Sequence, residues 1–227
     1  MNILAIIPAR KGSKKFPNKN LAKIGEKSLI ELAIDTAKEV KKINNILISS
    51  DCQKILSFGK KKKVLTSLRP KGLATDNALI IDTIKYEYNR LKKKMKIDII
   101  VLLEVTSPLR KSFHIEKCID IMIKRKLDSV ATFTESSINP HRTWKIKDDK
   151  PFKFVSNSNP WLPRQKLPKA YQLSGVAYVI KPEKIKKNYS SLLFGKSGSY
   201  IIDKKYSLDI DDKIDYELIN LLAKNEI

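Results

Sequence analysis

Two stretches of this sequence carry residue types that could work on a phosphate group. Residues 8–20 read PARKGSKKFPNKN, with cations at Arg10, Lys11, Lys14, Lys15 and Lys19 around a single glycine, Gly12. A loop that offers backbone N–H groups together with Arg and Lys can surround a polyphosphate and offset its charge. It contains neither GxxxxGK[ST] nor GxGxxG, which disfavours a P-loop nucleotidase and a dinucleotide-dependent dehydrogenase. Near the other end stand Asp209 and Asp211 with Ile210 between them. On a strand that alternation points both carboxylates to one side, and two oxygen ligands completed by phosphate and water suit Mg2+. Paired Asp just ahead of a helix also suits an N-cap with a solvated neighbour. A third stretch, EVTSPLR at 104–110, follows an apolar run and offers Glu104, Ser107 and Arg110.

These residues need elements to hold them. Short apolar runs at 3–7, 46–49, 64–66, 97–103 and 129–133 alternate with amphipathic stretches at 28–40, from about 51, at 77–93 and at 113–124. The alternation predicts an α/β fold, a mostly parallel sheet covered by helices on both faces. Further short strands are expected at 175–180, 200–202 and 207–210, and a closing helix at 213–222. In such sheets ligands sit beyond the carboxyl ends of the strands, where 8–14, 104–110 and 209–211 fall. The rhythm fails between 135 and 170, which holds five prolines and both tryptophans and no long amphipathic stretch. That predicts an inserted arm at 135–172 within a single domain of 1–227.

Composition narrows the class. The chain of 227 residues is long enough to bury a core without staples. Its two cysteines, Cys52 and Cys118, form no CxxC pair and no His lies at ligand spacing, so a disulfide framework and a zinc site are not expected. No run approaches the roughly 20 apolar residues of a membrane span, and the short N-terminal run has no basic stretch ahead of it. A cytoplasmic protein without a membrane partner is expected. The net charge of +22 suggests a polyanion partner, but only seven of the 46 cations are Arg. The lysine runs at 60–63 and 92–94 have no interleaved aromatics for base stacking, so they read as solvated faces and no specific nucleic acid is expected.

The segment IIPARKGSKKFPNKN resembles the N-terminal loop of the CMP-sialic acid synthetase (acylneuraminate cytidylyltransferase) family, IPARxGSKxxPxKN. Three more segments fall in the family's order: LLEVTSPLR at 102–110 resembles LLQPTSPLR, PRQKLPKAYQLSGVAYVI at 163–180 resembles RRQxxPxxYxxNGAxYI, and LDIDDKIDYELI at 208–219 resembles DIDxxxDxxxAE. The resemblance implies a Rossmann-like, three-layer nucleotidyltransferase fold. It implies transfer of CMP from CTP to the anomeric hydroxyl of a nonulosonic acid, Mg2+, and a homodimer in which one subunit's arm closes the other's sugar pocket. Carried over by position, it implies CTP contacts from Ala9, Arg10, Lys14, Lys19 and Asn20, with Asp76 on the nucleotide side. It implies catalytic roles for Arg10, Lys19 and Asp211, metal ligation by Asp209 and Asp211, and sugar contacts from Glu104, Arg142, Arg164, Gln165 and Tyr171.

Such a transfer needs fixed cations and a metal around the reacting phosphate rather than a covalent intermediate. Ser107, Ser174 and the cysteines are therefore given no nucleophilic role, and His114 and His141 are read as structural. The sequence departs from the family pattern at Glu104 for Gln, Val105 for Pro, Ser174 and Val176 around Gly175, and apolar 79–81 where a Ser or Thr is expected. An ionised Glu only accepts hydrogen bonds whereas Gln also donates, so Glu104 favours hydroxyl or ammonium donors on the sugar. Acceptors such as 3-deoxy-manno-octulosonate or an amino variant stay open beside the sialic-acid type. A nucleotide- or RNA-binding module without catalysis is the reading from a different class, and the acidic pair argues against it.

Overall fold

The computed structural model describes residues 1–12 and 15–224. β1 (Ile3–Pro8) runs into the basic loop, which closes on a short ribbon of β2 (Lys23–Ile24) and β3 (Lys27–Ser28). α1 (Leu29–Glu39), β4 (Asn45–Ser50), α2 (Gln53–Lys61), β5 (Leu65–Leu68), α3 (Ile80–Leu91), β6 (Ile99–Leu102), α4 (Ser112–Arg125) and β7 (Ser129–Glu135) continue the alternation. The hairpin β8 (Trp144–Lys147) and β9 (Lys150–Lys153) follows, then the long β10 (Tyr171–Ile180), β11 (Ser197–Ile201) and α5 (Lys213–Lys224).

Seven strands form one sheet in the order β11-β7-β10-β6-β1-β4-β5. β10 alone runs antiparallel, against β6 and β7, while the other pairings are parallel. The apolar runs of β1 and β6 are buried on both faces because side chains alternate: Ile3, Ala5 and Ile7 enter one core, and Leu4 and Ile6 enter the other. α1 shows why these helices dock. Ser28 and Glu31 form a capping box that fixes its start, and Leu29, Ile30, Ala33, Ile34 and Ala37 recur at helical spacing to fill the first core.

Several boundaries differ from the sequence-based expectation, and the strand expected at 175–180 begins at Tyr171, inside the segment expected as an arm. The helix expected at 77–93 begins at Ile80, and 75–79 stay out as a loop. No strand forms at 207–210. Lys204–Ser207 is a single 3-10 turn, started by Asp203 accepting from the Lys205 N–H, and the backbone beyond it makes one sheet-like bond, Ile210 N–H to the Thr106 carbonyl at 2.9 Å. β11 begins at Ser197 rather than Tyr200, because its pairing with β7 runs from Ser197 opposite Ser129. No helix among the described residues is long and apolar enough to cross a membrane.

Candidate active site

The carboxyl ends of β1, β5 and β6 border a cavity of about 300 Å³ whose lining includes Arg10, Lys19, Asn20, Arg69, Asp76 and Glu104. The basic loop is held in place from within. Arg10 donates to Asp76 Oδ1 at 2.8 Å, Asn20 Nδ2 donates to the Arg10 carbonyl at 2.8 Å, and the Lys11 N–H donates to Asp51 Oδ1 at 2.8 Å. The Ala9 N–H donates to the Ser49 carbonyl at 3.0 Å, so Ala9 is fixed to β4 and is itself buried. Lys14 lies outside the described residues.

Lys19 joins the loop to the acidic segment. Its ammonium donates to the Ile210 carbonyl and lies 3.6 Å from Asp211 Oδ1. Asp209 accepts from Ser107 Oγ at 3.2 Å, which ties the same segment to the turn after β6. With no strand here, the shared orientation expected of Asp209 and Asp211 does not arise from strand alternation. The segment is held instead by these bonds to Lys19, Thr106 and Ser107. The capping of α5 falls to other carboxylates: Asp212 accepts from the N–H groups of Ile214 and Asp215, and Asp215 accepts from those of Asp211 and Asp212. Neither Asp209 nor Asp211 is used as a cap.

Glu104 closes the inner end of the cavity. Burial and the negative charge of Asp209 push its carboxyl up to about 7, while Arg110 and Lys19 act the other way. Arg110 is buried behind it, with Nε donating to the Ser107 carbonyl at 3.0 Å and both terminal nitrogens without a hydrogen-bond partner among the described residues. Burial pulls that guanidinium down to about 10 against the charges of Glu104 and Asp209. Room for Glu104 is made by an irregularity in β10 between Leu173 and Tyr178. There Thr132 Oγ1 accepts from Ser174 Oγ at 2.7 Å and from the Ala177 N–H at 3.0 Å, and Gly175 sits at φ +72°. A Cβ on Gly175 would lie 3.1 Å from Glu104 Oε2 and 3.2 Å from Ser107 Oγ. Gly175→Ala is therefore expected to cost about 1–2 kcal/mol from the left-handed backbone alone. Urea unfolding measures it, and an unchanged midpoint would contradict the role given to this glycine.

Arg69 has no place in the sequence-based set, yet it lines the cavity and is well buried. It donates to the Ser49 carbonyl at 2.9 Å, the Leu73 carbonyl at 3.3 Å and Thr83 Oγ1 at 3.4 Å. Ser49 in turn donates to the fully buried Glu87 at 2.7 Å, which Arg90 pairs from the far side. The signal for Arg69 was its position at the end of β5, just before Pro70. Thr83 also lines the cavity, so a hydroxyl is supplied one turn beyond the apolar 79–81.

The residues expected at the sugar divide between two places. Glu104 stands in the first cavity, whereas Arg142, Arg164 and Gln165 line a second one of about 460 Å³ with Glu135, Asn139 and Lys169. Arg142 donates to the Leu162 carbonyl at 2.5 Å. Tyr171 opens β10, exposed, outside the lining of both. His114 is buried beside Phe113 and Tyr206, and burial pulls its imidazole down to about 4, which fits a structural residue.

Residues 4–226 match the family model described as cytidylyltransferase. The chain is 30% identical to a post-translational flagellin modification protein B of Campylobacter coli, over 99% of this chain and 96% of that protein. It is 29% identical to a CMP-N,N'-diacetyllegionaminic acid synthase of Legionella pneumophila, over 99% and 97%. It is 28% identical over 95% of its length to an N-acylneuraminate cytidylyltransferase of Streptococcus agalactiae, and spans 52% of that longer protein. Among solved structures, CMP:2-keto-3-deoxy-manno-octonic acid synthetase complexed with CTP superposes over the whole of both chains with a TM-score of 0.73 at 15% identity, a likeness of fold.

Proposed function

The chain belongs to the cytidylyltransferase family, and we propose that it transfers CMP from CTP to the anomeric hydroxyl of a nonulosonic, sialic-acid-like sugar acid, releasing pyrophosphate. The observation that carries this is a cavity lined by the basic loop, one of whose cations, Lys19, also holds the acidic segment through the Ile210 carbonyl and Asp211. Arg10, already oriented by Asp76, and Lys19 supply positive charge for the triphosphate, with Arg69 a third cation in the lining. The acceptor's anomeric oxygen bonds to the α-phosphorus as the bond to the bridging oxygen of the β-phosphate breaks. Pyrophosphate leaves, and the hydroxyl proton passes to solvent. Positioning and charge neutralisation account for such a transfer, so no side-chain nucleophile is required.

The chemistry of the acidic segment fits a divalent cation. Asp209 and Asp211 are free of capping duty, and their charges help to raise the proton affinity of Glu104. Among the described residues no three His, Cys, Asp or Glu side chains gather closely enough to hold a metal. Two carboxylates completed by phosphate oxygens and water suit Mg2+, which when bound polarises phosphate oxygens and offsets charge on the leaving pyrophosphate.

The separate second cavity supports a homodimer in which residues 135–172 act as an arm and Arg142, Arg164, Gln165 and Tyr171 face the first cavity of the other subunit. Arg164, a planar fork, serves the acceptor's carboxylate. The two free cysteines agree with a reducing cytoplasm, where we place the reaction. Pyrophosphate release from CTP and Mg2+ with a panel of nonulosonic acids and 3-deoxy-manno-octulosonate tests the reading. Turnover is expected with a nonulosonate. Release only with the octulosonate would move the acceptor to the 3-deoxy class, and CTP binding without release from any acid would leave a nucleotide-binding module.

A further inference from the structure

Taken one run at a time, the lysines at 60–63 and 92–94 are solvated faces, but the fold gathers these and other runs on one edge of the sheet. Segments 38–44, 60–64, 92–98 and 124–128 lead from the ends of α1, α2, α3 and α4 to the starts of β4, β5, β6 and β7. Segments 181–184 and 195–196 leave β10 and enter β11 at the same edge, because Ile180 pairs with Ile100 and Ser129, and Ser197 also pairs with Ser129. They are tied to one another as well. Lys38 donates to the Lys62 carbonyl, and the N–H groups of Lys181 and Lys196 both donate to Asp128.

These 30 residues hold 17 of the chain's 46 Lys and Arg and only four Asp or Glu, so more than half of the net +22 lies at the edge opposite the first cavity. Among the described residues only Lys42, Lys62 and Lys96 of the seventeen have an ion pair. The helix dipole favours cations in the last turn of each helix, but not runs that continue into the following strand. Nor does this charge serve the triphosphate. β1 has six residues, so the two edges lie about 20 Å apart, well beyond the roughly 8 Å over which charge is felt at physiological ionic strength.

The chemistry of the edge favours one kind of polyanion. Its large exposed apolar side chains are Met1, Leu65 and Ile123, none of them aromatic, so bases have nothing to stack on, and Arg125 is the one arginine among the seventeen. Met1 and Ile123 border a cavity of about 350 Å³ together with Lys126 and Lys181. Ammonium groups interspersed with aliphatic side chains suit lipid, where the cations meet anionic headgroups and the aliphatic groups enter the acyl boundary. We propose that this edge docks the protein on an anionic membrane surface, with the first cavity turned away from the lipid and open to its substrates.

Cosedimentation of the full chain with lipid vesicles tests the proposal. Binding is expected to vesicles of phosphatidylglycerol and phosphatidylcholine in equal parts at physiological ionic strength, with release as salt is raised, and not to phosphatidylcholine alone. Lys92→Gln, Lys93→Gln and Lys94→Gln combined should weaken that binding about 100-fold, at about fivefold for each lysine near the surface. Lys54→Gln, Lys71→Gln and Lys117→Gln combined remove the same charge elsewhere and should leave most of it. An equal loss from both sets, or no binding to the mixed vesicles, overturns the proposal. Tighter retention by duplex DNA or single-stranded RNA than by the vesicles, at equal anion concentration, gives the edge to nucleic acid and overturns it too. Acetylation of surface amines locates the contact on wild type, so the outcome does not hang on how a variant folds. Vesicles should shield Lys92, Lys93, Lys124 and Lys126 and leave Lys54 and Lys71 reactive, and any other pattern sinks the docking edge.

Discussion

Asp211→Ala is expected to lower pyrophosphate release roughly 10²- to 10³-fold while leaving the fold intact. The two effects separate because of how Asp211 is held. Its side chain is 71% exposed and its backbone N–H, not its carboxylate, bonds to Asp215, so the turn into α5 survives the substitution. Among the described residues its one close charge contact is Lys19 at 3.6 Å, a long pair open to water on the Asp211 side and worth about 1 kcal/mol or less. The expected change in stability is therefore small, within about 0.5 kcal/mol. Loss of activity would instead come from removing one of two carboxylates available to a divalent cation beside the triphosphate. A Mn2+ titration in the presence of CTP should weaken in parallel with turnover. Undiminished turnover would remove Asp211 from the catalytic set, and lost turnover with unweakened Mn2+ binding would assign it a role toward Lys19 instead.

Much of the scaffold was legible because its determinants are local. The apolar runs of β1 and β6 are buried on both faces of a parallel sheet, and a continuous run is what that environment demands. Ser28 and Glu31, three residues apart, mark the start of α1 in the sequence itself. The basic loop, the turn after β6 and the acidic pair were legible as chemistry because each follows a strand or precedes a helix. What the sequence hid is what depends on distance along the chain. Arg69 reaches the cavity through bonds to Ser49 and Thr83, twenty and fourteen residues away. Asp209 and Asp211 are held not by a strand but by Lys19, Thr106 and Ser107, more than a hundred residues earlier. The division of the sugar residues between two cavities is likewise a matter of tertiary placement, which motif order along the chain does not express.

Glu104 also carries a large expected effect of pH on stability, and its sign is opposite to that of an ordinary salt-bridged carboxylate. In the folded, metal-free protein its carboxyl is pushed up to about 7 from an ordinary value of 4.5. The native state thus holds a proton that the unfolded chain has already released between those two values. Its contribution to stability is greatest below about 4.5, declines as pH rises toward 7, and levels off above it, while His114, pulled down to about 4, works the opposite way below 6.5 in wild type and variant alike. At 1.36 kcal/mol per pH unit the decline amounts to about 3 kcal/mol. Glu104→Gln keeps the shape of the neutral carboxyl and cannot ionise, so it should be more stable than wild type by about 2–4 kcal/mol at pH 8, with the advantage shrinking toward pH 5. Arg110 does not cancel this, because its attraction for Glu104 already lowers the very proton affinity that sets the decline. Glu31, Asp35 and Asp98 have carboxyls held below their ordinary values, so their contribution is lost only as pH falls beneath that range, and it is common to both proteins. Urea unfolding in EDTA at pH 5 and pH 8 reads the difference directly. Parallel behaviour of wild type and variant across that interval would mean that Glu104 ionises as freely as in water, and the crowding of negative charge at the end of β6 would have to be abandoned. A gap that opens with pH and closes when Mg2+ and CTP are added would tie the strain at Glu104 to the charges that the substrates neutralise.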